Sequence, residues 1–348
     1  MAVITRIASA VPDLDFEQDY RRWANSRLAG TRQARVYQRM AERSGIEHRW
    51  SVLTAEDARL DEGVGLYGNE APGTARRMQI YAEEAPALAQ KAIAKLGDLG
   101  TVTHLVVASC TGFVAPGIDQ IIARRLKLSP HVERVLIGFM GCYAAVTALR
   151  TARHIVRSDP DARVLVVTVE LSTLHHQADL DIEPLLAGAQ FGDGAAAAIV
   201  CGDGQGLAIE QGLSVTLEES EELITWHIGD TGFRMRLSGE VPNRIAAALA
   251  QPDVREQITG GKPVAVLDAF AVHAGGRSIL DAVERGLQLA PGMLAASRTV
   301  LREFGNMSSS TLMFVLERIL RERPAAGVAL AFGPGLAMEG FRFRWSNG

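Results

Sequence analysis

Cysteine is scarce in the 348-residue chain: Cys110, Cys142 and Cys201 are the only three. Three thiols make no disulfide framework, which excludes the small stapled scaffolds and points to a reducing compartment. Aromatic residues are few, at 6%. No apolar run approaches the roughly 20 residues that a membrane-spanning helix needs. Met1 to Ala10 shows no apolar stretch of the kind a secretory leader carries, so a soluble, cytoplasmic protein is expected. An excess of one charge is missing too. With 36 Lys and Arg against 40 Asp and Glu the formal net charge is −4, which speaks against a nucleic-acid partner. Linkers rich in Pro or Ser and low-complexity segments are absent.

What the chain does have is apolar residues, 47% of the total, enough for one large domain or two coupled halves. Tyr20 to Arg43 reads as one helix rich in arginine (Arg21, Arg22, Arg27, Arg32, Arg35, Arg39 and Arg43), and Ala75 to Leu96 as a second. Further on, short runs with strand character alternate with helical stretches: Leu105 to Ala108, Arg134 to Ile137, Val164 to Val169, Ala196 to Val200, Val264 to Leu267 and Val328 to Phe332. This alternation predicts a layered α/β fold.

A long-range internal repeat organises the chain. One strand ends in Ser109-Cys110-Thr111-Gly112, and thirty-two positions after Cys110 comes Cys142, opening a helix of small residues. A later strand ends in Val272-His273-Ala274-Gly275-Gly276, and thirty-three positions after His273 comes Asn306, opening another helix. Each unit closes alike, with Phe191-Gly192-Asp193-Gly194 and Phe332-Gly333-Pro334-Gly335, read as tight turns beneath a shared site. Leu171 to Gln190 reads as an insertion in the first unit. Two related halves facing each other would bring Cys142, His273 and Asn306 together.

Each of these residues has a plainer reading. A cysteine among alanines is ordinarily a small core residue, as Cys201 is expected to be. At a helix N-terminus beside an imidazole, Cys142 is instead expected to favour the thiolate. Asn306 could simply cap its helix, or its amide could donate to a developing oxyanion or enolate. His175 and His176 near Asp179 lack the pattern of a metal site and are expected at the surface or at a dimer contact. The arginines of Tyr20 to Arg43, with Arg49, could attract the phosphates of coenzyme A, although a solvated helix face accounts for most of them.

Gly141-Cys142, the His273 turn, Gly305-Asn306-Met307-Ser308, Phe332-Gly333-Pro334-Gly335 and Phe191-Gly192-Asp193-Gly194 resemble the motifs of the type III polyketide synthases, the chalcone-synthase-like family, in the family's order from about Gly45 to Arg344. The resemblance implies a thiolase fold, five layers αβαβα in two similar halves (1–205 and 206–348), and a homodimer. It implies Cys142 as nucleophile, His273 and Asn306 as the groups that bind the thioester carbonyl and promote malonyl decarboxylation, and no cofactor or metal. Acyl-CoA and malonyl-CoA are the implied substrates. Phe191 matches a gatekeeper at the pocket entrance. Met235 stands where plant relatives carry a second gatekeeping phenylalanine, Cys110 where they carry threonine, beside Thr111, and Ala115 where they carry a pocket methionine. Around Gly112 to Asp119 and Leu128 to Cys142 the chain is most similar to bacterial alkylpyrone and alkylresorcinol synthases. Medium- to long-chain acyl starters are therefore expected. Lactones are expected over resorcinols, because the water that promotes aldol closure is held in the family by residues matching Cys110, Glu170 and Ser308, and a thiol orients water poorly. A synthase of small phenolics from malonyl-CoA, a ketoacyl synthase III, a catalytically silent thiolase-fold subunit and a binding module for acidic partners are the alternatives. The second usually carries His-Gln-Ala-Asn where this chain has His273-Ala274-Gly275-Gly276, and the third would be expected to lose a catalytic residue.

Overall fold

A computed structural model describes residues 1–60, 63–68, 71–177 and 182–348. Strand β1 (Val3–Ala10) and the short β2 (Leu14–Asp15) lead into α1 (Glu17–Arg27) and α2 (Arg32–Ser44). The single helix expected over Tyr20 to Arg43 is therefore two. Gly30 turns the chain at φ +77°, and the Thr31 hydroxyl then caps α2 by accepting from the Ala34 N–H. Next come β3 (Trp50–Ser51), α3 (Thr74–Ala94), β4 (His104–Ser109), α4 (Ile118–Arg125), β5 (Glu133–Gly138), α5 (Ala144–Ser158), β6 (Val164–Leu171), α6 (Ile182–Gly188) and β7 (Asp193–Cys201).

The chain continues through β8 (Gln205–Thr216), the hairpin β9 (Ile224–Gly229) and β10 (Gly232–Leu237), α7 (Val241–Ala250), α8 (Pro252–Thr259), β11 (Ala269–Val272), α9 (Arg277–Leu287), α10 (Ala295–Phe304), α11 (Ser310–Glu322), β12 (Ala326–Gly333) and β13 (Ala337–Asn347). Val264 to Leu267, expected as strand, is instead a tight turn closed by Val266 N–H to Pro263 and Leu267 N–H to Val264. The reason is register. The β11–β12 ladder begins at Ala269 opposite Gly327, so those four apolar residues have no strand to pair with.

Nine strands form one sheet in the order β11-β12-β13-β8-β1-β7-β6-β4-β5. From the middle outward the two sides match. β1–β7, β7–β6, β8–β13 and β13–β12 are antiparallel, while β6–β4 and β12–β11 are parallel. The repeat read from the turns is thus a repeat of strand order.

Alternate residues of each strand face opposite layers. On one face Val106, Ala108, Val164 and Val166 from one side, with Ala269, Ala271, Ala329 and Ala331 from the other, pack against α5 and α11 in a single core. On the opposite faces Leu105, Val107 and Leu165 meet α3 and α4, while Phe270, Val272 and Leu330 meet α7, α9 and α10. The result is αβαβα, with α5 and α11 as the shared central layer. Alanine on the inner strand faces lets that layer approach both sheet halves. The two helices that follow Cys142 and Asn306 lie in it.

Candidate active site

The turn that carries Cys142 is built by close approach. After β5 the chain takes φ +57° at Phe139 and +79° at Gly141. A Cβ on Gly141 would run into the Pro334 ring, and one on Gly333 into the Tyr143 ring. Gly333-Pro334-Gly335 therefore packs directly on the turn that carries Cys142, which sits in a 3-10 turn, Gly141–Tyr143, leading into α5. The other closing element does the same for Asn306. The Gly192 N–H donates to the Asn306 carbonyl at 3.0 Å, the Asn306 N–H donates to Gln190 at 2.8 Å, and Phe191 bridges to Asn306. A Cβ on Gly194 would strike Met307. Each half thus holds the turn of the other that carries Cys142 or Asn306.

The Asn306 side chain is oriented at both ends. Its Oδ1 accepts from the Ser308 N–H at 2.9 Å, and its Nδ2 donates to the Gly275 carbonyl at 3.2 Å. It closes a turn ahead of α11, whose own N-cap position is Ser309. The same Gly275 lies against the His273 ring, where a Cβ would approach Cδ2 and Nε2. His273 is 1% exposed, and neither ring nitrogen has a partner among the described residues. Burial lowers its pKa to about 3.

Cys142 Sγ lies 3.8 Å from Ser308 Oγ. Burial pushes this thiol up to about 12, against hydrogen bonds from Ser308 and Asn306. Burial thus works against the thiolate that the helix N-terminus favours.

Glu170 is fully buried beside this turn. Its carboxyl accepts from the Cys110 N–H and the Thr111 hydroxyl, both at 2.9 Å, and from the Ser309 hydroxyl. Burial raises it to about 7. Ser309, the neighbour of Ser308, reaches Glu170 directly. The Cys110 sulfur accepts from the Gly141 N–H at 2.9 Å, tying it to the nucleophile turn, while Thr111 supplies the hydroxyl.

Phe191 and Met235 line one cavity of about 160 Å³, together with His175, Trp226 and Phe233. His175 and His176 are buried, not at the surface as expected. The Phe233 N–H donates to His175 Nδ1 at 3.0 Å, so Nε2 carries the proton and donates to the Thr111 carbonyl at 2.7 Å. The ring stacks on Phe233 at 4.1 Å. Trp226 Nε1 donates to the Cys110 carbonyl at 3.1 Å. The signal for this wall was present as alternation in β10. Phe233 and Met235 share a face, and Met235 pairs with Trp226 on β9. Asp179 lies outside the described residues; among those described, no group of three His, Cys, Asp or Glu could hold a metal.

One further expectation fails on burial. Arg49 is 0% exposed, pairs with Glu17, donates to the Phe191 carbonyl at 3.0 Å and lies over the Phe16 and Tyr20 rings. No phosphate reaches it; it braces the chain at Phe191. Ala115 is exposed on the loop after β4 and lines no wall of the Phe191–Met235 cavity. A second cavity, about 420 Å³, has Arg43 and Arg277 among its lining residues, with Gln190 and Gly276 in its wall.

Two sheet halves around a shared helical layer, with a cysteine turn on one and histidine and asparagine turns on the other, define a thiolase-like acyl-condensing enzyme. Family comparison is more specific: the N-terminal domain of the chalcone and stilbene synthases matches residues 2–204 and their C-terminal domain residues 208–345. The chain belongs to this family, the type III polyketide synthases, transferases that catalyse decarboxylative condensation. It is 33% identical to the alpha-pyrone synthesis polyketide synthase-like Pks18 of Mycobacterium tuberculosis, over 99% of this chain and 91% of that protein. Among solved structures, PKS-I of the brown alga Ectocarpus siliculosus superposes with a TM-score of 0.88 at 30% identity, covering 99% of this chain and 98% of that one. The 1,3,6,8-tetrahydroxynaphthalene synthase of Streptomyces coelicolor gives 0.88 at 28%, covering 99% and 100%. The family sets aside the ketoacyl synthase III alternative. Among the described residues no helix is long and apolar enough to cross a membrane.

Proposed function

We propose that the chain loads a fatty acyl group from its coenzyme A thioester onto Cys142, extends it with malonyl-CoA and releases mainly an alkyl α-pyrone. The observation that carries this reading is His273, buried with both ring nitrogens unpartnered. A buried polar group left unpaired costs about 1–3 kcal/mol, which suits a ring reserved for a ligand. The neutral imidazole takes the Cys142 proton as the sulfur attacks the thioester and returns it to the departing coenzyme A thiolate. As CO2 leaves malonyl-CoA, the imidazole N–H and the Asn306 amide donate to the enolate oxygen. The enolate attacks the acyl thioester, and the longer chain returns to Cys142. In this reading the half 1–205 supplies the nucleophile and 206–348 the histidine and asparagine. Arg43 and Arg277, in place of Arg49, meet the coenzyme A phosphates.

The starter we propose is of medium to long chain, admitted between Phe191 and Met235, whose unbranched side chain can swing aside for an alkyl group. The Trp226–Phe233 wall of a cavity of only about 160 Å³ favours a second reading, a short starter. Lactone release is supported by Glu170, which already accepts from three protein donors. Incubating the protein with malonyl-CoA and acyl-CoAs from acetyl to stearoyl, with products identified by mass, tests all of this. Products from acetyl or malonyl starters alone would select the second reading, and resorcinols as main products would refute lactone release.

We also propose a homodimer through β5. Among the described residues this strand pairs only with β4 and ends the sheet, and Val135, Leu136 and the nearby Phe113 are exposed at 39%, 46% and 45%. A second copy is the occupant such an edge suits, since a twofold axis lets one strand pair with itself. It would also cover Ala115.

A further inference from the structure

Helix α2 carries Arg32, Arg35, Arg39 and Arg43, all exposed. Their spacing of three, four and four places them on one stripe. None of the four guanidinium groups meets an acidic partner among the described residues. Val36 and Met40 flank the stripe at 45% and 50% exposure, while Tyr37 and Ala41 on the far side are buried against the body. In a chain of net charge −4 this is a local positive row about 16 Å long at the rise of a helix. Its C-terminal end is the rim of the 420 Å³ cavity lined by Met40 and Arg43. The inner wall of that cavity includes Gln190, which accepts the Asn306 N–H, and Gly276, next to the glycine that touches His273. The row therefore leads toward the groups proposed to act on the thioester.

A free coenzyme needs only the rim. Arg35 and Arg32 lie two and three helical turns behind Arg43, and a line of charge that long matches an extended acidic surface. A lipid surface fits less well, because the apolar face of α2 is already packed and two flanking side chains leave little to insert.

We propose that this stripe docks an acidic carrier protein, which presents its acyl group to Cys142 on a phosphopantetheine arm through the 420 Å³ cavity. The proposal rests on the polyketide synthase reading above. In the step itself Cys142 sulfur forms a bond to the acyl carbon and the bond to the arm's sulfur breaks. The arm leaves as the thiol, carrying the proton that Cys142 released.

The test gives octanoyl groups to wild type and to the Arg32→Glu/Arg35→Glu variant, either on coenzyme A or on a bacterial acyl carrier protein. Acylation of Cys142 is followed by intact mass at low and high salt. The carrier should acylate wild type. Its kcat/KM should fall about tenfold in the variant and also with salt, while the coenzyme A value stays within about twofold. Arg32→Lys/Arg35→Lys should restore carrier use. Acylation by coenzyme A but not by the carrier overturns the proposal. So does an equal loss with both donors, or a variant whose only defect is binding to phosphatidylglycerol vesicles. Failure of both donors with wild type would sink the polyketide reading as well.

Discussion

Burial pushes the Cys142 thiol up to about 12 and brings the His273 imidazole down to about 3, which favours the neutral form of each at pH 7, because each would have to carry its charge without water. Alkylation of Cys142 by iodoacetamide should then rise about tenfold per pH unit from pH 7 to 10. A plateau between pH 5 and 7 would reveal a resting thiolate–imidazolium pair instead. Cys142→Ala should lose acyl labelling and product together. Asn306→Ala should slow malonyl-CoA decarboxylation by about 10²–10³, the scale of one oxyanion donor, and this loss should not add to that of His273→Ala. Normal decarboxylation by Asn306→Ala would remove it from the mechanism. Glu170 carries its own prediction. A carboxyl raised to about 7 holds a proton that the unfolded chain releases near 4.5. Its contribution is therefore full below about pH 4.5 and lost as the pH rises to about 7. Relative to Glu170→Gln, wild type should lose roughly 2–3 kcal/mol between pH 5 and 8 in urea unfolding. Parallel pH trends in the two proteins would show that Glu170 titrates normally.

At the scale of elements, the wall of the pocket belongs to the β9–β10 hairpin and the segment after β6. Trp226 pairs with Met235 across the hairpin and is pinned to the Cys110 carbonyl. Trp226→Gly opens the wall and should shift the preferred starter to longer acyl-CoAs, read as a change in the ranking of kcat/KM; an unchanged ranking would exclude Trp226 as the limit. Cys110→Thr should leave the pyrone-to-resorcinol ratio little changed, because the Thr111 hydroxyl already donates to Glu170 while the Cys110 sulfur serves the Gly141 N–H. A large rise in resorcinols would return control of ring closure to position 110.

At the scale of the molecule, β5 leaves an edge with Val135 and Leu136 outward. Leu136→Arg should convert a dimer to monomer in analytical ultracentrifugation. A wild-type monomer at micromolar concentration would refute the interface. An unimpaired Leu136→Arg dimer would place the interface elsewhere.

Much of this arrangement was legible in the sequence, because it is local. A strand, a glycine turn and a helix of small residues follow one another in the chain, so the repeat and the layered α/β class could be read from order and spacing, and Cys142, His273 and Asn306 could be picked out as candidates. Cys110 and Ala115 could be placed only by resemblance. Burial is not local, and tertiary packing alone decided it. It turned Arg49 from a phosphate ligand into a brace, drew His175 into the pocket wall, brought Ser309 to Glu170 and left Val264 to Leu267 without a strand to pair with. It also bears on the charge at the site. A cysteine at a helix N-terminus reads as a thiolate, and the layers that close over Cys142 remove water and push the thiol the other way.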